Sequence, residues 1–74
     1  MARALHVLKG HGAALALATI ERQVAAGDRV SVALLPGAAA PRLPAGVDVH
    51  RVPDDWSYER LLEAVFEAEH VATW

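Results

Sequence analysis

The stretch Arg29-Val30-Ser31-Val32-Ala33-Leu34-Leu35 decides the fold. Its alternate positions, Val30, Val32 and Leu34 against Ser31, Ala33 and Leu35, are apolar or small on both sides. A strand with two apolar faces suits a parallel sheet covered by helices and not a hairpin with one wet face. Upstream, Ala4 to Leu8 is a second short apolar run that ends in Lys9-Gly10-His11-Gly12. Between the two runs, from about Ala13 to Ala26, the pattern turns helical. Leu17, Ile20 and Val24 recur at spacings of three and four, Ala14, Ala18 and Ala25 are assigned to the same side, and Glu21, Arg22 and Gln23 form the wet face. Gly27 stands where a left-handed residue would stop that helix. Strand, helix, strand is a βαβ unit, and it predicts parallel pairing of the two strands with the helix packed across them.

Downstream, Pro36 to Gly46 is a connector rich in proline and glycine, with room for one helical turn at Ala38-Ala39-Ala40. Val47 to Val52 reads as a third strand with a partly exposed side. Asp54, Asp55 or Ser57 can then cap a final helix, and Glu59 favours its positive end. Tyr58, Leu61, Leu62, Val65 and Phe66 follow helical spacing and are assigned to its core stripe. Val71 to Trp74 can add a short edge strand. The expected fold class is therefore α/β, a small open, mostly parallel sheet of three to four strands flanked by helices, in the order β-α-β-β-α-(β). Residues 1–74 form a single domain.

Composition narrows the function classes. The chain has no cysteine, so it supplies neither a disulfide nor a thiol nucleophile nor a cysteine metal site. Seven Lys and Arg against nine Asp and Glu give a formal net charge of -2, and the basic residues are scattered singly. That argues against a direct nucleic-acid or anionic-membrane surface. No apolar run approaches the roughly 20 residues of a membrane span, and the alanine-rich stretch after Met1-Ala2-Arg3 is a poor signal peptide, so a cytoplasmic location is expected. A small domain without staples has a marginal core, which makes association with another subunit the expectation.

Few residues point to chemistry. Lys9, Gly10, His11 and Gly12 join the carboxyl end of a strand to a helix start, where anions are met in open α/β sheets. The same glycines also serve a tight turn, and the motif is too short for a dinucleotide or nucleotide-phosphate loop. The four histidines show no paired-ligand spacing; His6 reads as a hydrogen-bonded strand residue, and His50 and His70 as surface residues. Glu59, Glu63 and Glu67 form an acidic stripe that reads as a solvated face. Ser31 and Ser57 are accounted for by a strand and a cap, so no catalytic triad is supported. Trp74 must pack either on its own sheet or on another subunit to be held, and both readings stand.

Taken together, Ala4-Leu5-His6-Val7-Leu8, the turn and strand from Gly27-Asp28 to Val32, and the helix led by Tyr58 with its tail closing on Trp74 resemble the sulfur-relay family typified by DsrH and TusB. The resemblance implies an open, largely parallel sheet and a non-catalytic subunit with no cofactor. It implies assembly with cysteine-bearing DsrE/TusD-like and DsrF/TusC-like subunits that pass persulfide sulfur, toward tRNA 2-thiouridine or within sulfur oxidation. The chain is shorter than typical members: the helix and strand that usually precede the Tyr-led helix are missing. Pro36-Gly37 also stands where members tend to carry an acidic or amide residue before the glycine. A homo-oligomer is the other expected assembly, with Tyr58, Phe66, Val71 and Trp74 as its candidate interface. The competing reading is an anion- or ligand-binding domain that uses Lys9 to Gly12.

Overall fold

A computed structural model describes residues 2–10, 13–38 and 42–74, and of Ala13 the backbone only. Its elements run β1 (Arg3–Leu8), α1 (Ala13–Ala25), β2 (Arg29–Leu34), β3 (Asp48–Arg51), α2 (Tyr58–Glu67) and β4 (His70–Thr73). The four strands make one sheet in the order β3-β2-β1-β4, and every pairing is parallel. The expected β1–β2 pairing is present, with Arg3 opposite Arg29 and Leu8 opposite Leu34. The tail is a true fourth strand, with Ala4 opposite His70 and Val7 opposite Thr73.

The chain makes three parallel crossovers, outward from β1 to β2 and on to β3, then in the opposite direction from β3 back past β1 to β4. Crossovers of one hand must then place their helices on opposite faces. That is the arrangement here. Ala16, Ile20 and Val24 of α1 pack on Ala4, Leu8, Val30, Val32 and Leu34. On the other face Leu61, Ala64, Val65 and Ala68 cover Leu5, Val7, Ala33 and Val52. The connector from β2 to β3 runs over the α1 face, where Ala38, Leu43 and Val47 add to the core. Ala39, Ala40 and Pro41 lie outside the described residues, and with them most of the helical turn considered there.

Local signals explain both helices' ends. After α1, the Asp28 amide donates to the Gln23 carbonyl and the Gly27 amide to the Val24 carbonyl, with Gly27 at φ 86°. This is the paired 6→1 and 5→2 closure that a left-handed glycine permits. Asp28 then accepts a hydrogen bond from the Ala2 amide at 3.3 Å, while the Arg29 amide donates to the Ala2 carbonyl. The Gly-Asp turn thus ties the helix end to the start of β1. At α2, the Ser57 hydroxyl accepts from the Arg60 amide at 3.1 Å, so Ser57 is the cap.

Three side assignments from the sequence need correction. Ala14, Ala18 and Ala25 of α1 are exposed; Ala16 is the alanine against the sheet. Gln23 is not on the wet face but half-buried, bonded to His6. In α2, Tyr58, Leu62 and Phe66 point away from the sheet at 59%, 57% and 80% exposure, and Ala64 and Ala68 take their place. Alanine carries no directional signal of its own, and large apolar residues on two adjacent rows blur where a helix's inner face lies.

Candidate functional site: the tail, the first strand and the outer face of the second helix

His6, in the middle of the central strand, is 1% exposed and is the only buried polar side chain among the described residues. Burying an imidazole requires partners for both ring nitrogens. Trp74 supplies one: its indole Nε1–H donates to His6 Nδ1 at 2.9 Å. An indole can only donate, so Nδ1 carries no proton. Nε2 therefore holds the hydrogen and donates it to Gln23 Oε1 at 2.6 Å. The two rings lie edge to edge and nearly coplanar, with centroids 6.1 Å apart and planes at 20°, as an in-plane N–H to Nδ1 bond requires.

Of the two placements the sequence leaves open for Trp74, its own sheet or an interface, the first is present within the chain. The indole is half-buried against the α1-side core. Its main chain continues the β4–β1 ladder, with the Trp74 amide donating to the Val7 carbonyl at 2.8 Å and the Lys9 amide to the Trp74 carbonyl at 3.2 Å. Strand order reverses between β1 and β4, the place where open α/β sheets present a ligand crevice at the carboxyl ends of their strands. Here the tail's own backbone occupies that place. Lys9 has an exposed side chain, but its amide is already engaged. Gly10 adopts φ 140°, a conformation that favours glycine, which fits the tight-turn reading of the loop. His11 and Gly12 lie outside the described residues.

Of the remaining candidate interface residues, Tyr58, Phe66 and Val71 are all exposed. With Leu62, the first two form one row along α2 at i, i+4 and i+8. No residue of α2 is fully buried. The helix therefore carries two apolar rows and spends one on its own sheet. Glu59 and Glu63 flank the outer row and are exposed. Glu67 has a more specific role: it accepts from Arg60 Nη1 at 3.0 Å and lies 3.7 Å from Arg3 Nη1.

Trp56 packs on the α2-side core. It stacks on His50 at 4.1 Å and 12° and carries the Arg60 guanidinium 5.1 Å from its ring centre. His50 is thus half-buried against an indole and not a plain surface residue, whereas His70 is exposed. Among the described residues no group of three His, Asp or Glu is placed to hold a metal ion. Nor, among the described residues, is any helix long and apolar enough to cross a membrane.

No protein-family model, no curated protein and no solved structure matches the chain.

Proposed function

We propose that this chain is a non-catalytic subunit of a sulfur-relay assembly of the DsrH/TusB type. The observation that carries the reading is the contact between Trp74 and His6. The Leu-His strand and the tail closing on Trp are two of the three patches on which the resemblance rests, and they complete one another's hydrogen bonding. The third patch, the Gly27-Asp28 turn, fastens the start of the same strand. The three patches thus meet on one strand, and that proximity is what supports the reading.

In this role the chain contributes shape and no thiol. The persulfide is carried by a cysteine on a DsrE/TusD-like partner, with a DsrF/TusC-like subunit beside it, and the sulfur goes on to tRNA 2-thiouridine or into sulfur oxidation. The row Tyr58, Leu62, Phe66, with Val71 on the edge strand, is the surface for that partner or for a second copy of the chain. The competing anion-loop reading would rest on the exposed Lys9 side chain, since the Lys9 amide is engaged by Trp74.

Co-expression with a cysteine-bearing homologue from the same genome tests the proposal. A complex that survives gel filtration and gives a summed mass by light scattering is the expected result, and Phe66→Asp is expected to abolish it. A chain that stays monomeric, alone and beside every such homologue, would overturn the reading.

A further inference from the structure

Between α2 and the amino ends of β1, β2 and β3 lies a hollow of about 240 Å³ lined by Arg3, Arg29, Arg60, Asp48, Glu67 and Trp56. We propose that it binds the carboxylate of a small organic acid. The site lies on the α2 side, at the strands' amino ends, and owes nothing to the Lys9 loop.

The parallel register creates the charge arrangement. Arg3 and Arg29 are direct cross-strand partners, so two arginines stand side by side at the amino ends of the two central strands. Like charges placed so are destabilising unless an anion lies between them. Arg60 reaches the same hollow from α2, held over the Trp56 ring. Glu67 serves both Arg3 and Arg60, while Arg29 has no carboxylate within ion-pair distance among the described residues. Two carboxylates, Asp48 and Glu67, thus face three guanidiniums, which leaves one positive charge unmatched.

That imbalance selects the ligand class. A monoanion neutralises the site, whereas a phosphate dianion would overshoot by one charge and meet stronger repulsion from Asp48 and Glu67. The guanidinium fork also matches the planar carboxylate in a two-point hydrogen bond. Beside these charges Ser31 adds one hydroxyl, and Ala4, Leu5, Ala64, Ala68 and the Trp56 ring supply apolar wall for the body of the acid. The volume falls below that of common drug-sized sites, which limits the ligand to a small one.

The incoming carboxylate competes with Glu67 for Arg3 and Arg60, and this gives the test two opposite signs. The full chain is titrated with benzoate and, at matched ionic strength, with inorganic phosphate, and followed by amide and side-chain NMR. Saturable shifts gathered at Arg3, Arg29, Ser31 and Trp56 are expected with benzoate. Arg29→Gln, an exposed side chain without an ion pair, should weaken binding about tenfold, the scale of one charge-assisted bond. Glu67→Gln should tighten it, and Arg22→Gln on the opposite face should leave it unchanged. Absence of saturation, equal affinity in Arg29→Gln, weaker binding in Glu67→Gln, or tighter binding of phosphate than of benzoate would each overturn the proposal.

Discussion

The two faces of the sheet are finished to different degrees. On the α1 face the helix sinks Ala16 and Ile20 out of solvent, and the one buried polar side chain among the described residues has a partner for each nitrogen. On the α2 face no helix residue is fully buried, and a row of large apolar side chains looks outward. Both helices are amphipathic in sequence, and both cover a sheet of small and branched residues. Amphipathicity alone therefore does not say how much of a helix belongs to its own domain. α1 leaves one large apolar side chain outside, Leu15 at 69% exposure, whereas α2 leaves a row of three, more apolar surface than its short strip of sheet can cover.

The largest expected effect breaks or upholds this contrast directly. Ile20→Ala opens a cavity in the closed face and should cost about 2–5 kcal/mol, a large part of the 5–15 kcal/mol typical of whole domains. Leu61→Ala, on a half-buried position, should cost clearly less in the same urea titration. Equal losses would mean that the faces are energetically alike, whatever their exposure.

The polar cluster comes next. Trp74→Phe keeps a ring against the core and deletes only the indole N–H, which leaves His6 Nδ1 buried without a donor. A loss of about 1–3 kcal/mol is expected. A change within error would show that the ring's packing, and not its hydrogen bond, holds the tail.

Smaller effects sharpen the picture on the open face. Ser57→Ala removes the cap of α2 and should cost about 1 kcal/mol, read as a shift in the urea midpoint. Phe66→Ser, at 80% exposure, should alter stability by no more than about 0.5 kcal/mol. If Phe66→Ser instead destabilises the isolated chain substantially, the outer row is serving the fold itself and is not a partner surface.

Most of the architecture is legible in the sequence, and the reasons are specific. The two-faced apolar strand Arg29–Leu34 forces a covered parallel sheet, and Gly27 and Ser57 mark helix ends through backbone and side-chain chemistry that depends on neighbours alone. What depends on which row of a helix touches the sheet is less legible. Ala16 and Ala64 are indistinguishable in type from the exposed Ala14 and Ala18, so their positions follow only from tertiary packing. The Arg3–Arg29 pairing needs the strand register, which no local pattern supplies. The contact of His6 with Trp74 spans 68 residues; each residue stands out by itself, but only the strand order joins them.

That span has a consequence in time. β1 finds its first partner, β2, through a crossover of one helix, but its second, β4, only after β3 and α2 have been traversed. Closing the longer loop carries the larger entropy cost, and non-local pairing of this kind is slow. The β1-α1-β2 portion is therefore expected to acquire structure before β4 docks, and during that interval the His6 Nδ1 acceptor has no protein donor. Arrival of the indole ends the interval. In stopped-flow refolding, the fluorescence of Trp74, isolated in a Trp56→Phe background, should report a late event, after helical circular dichroism has largely recovered.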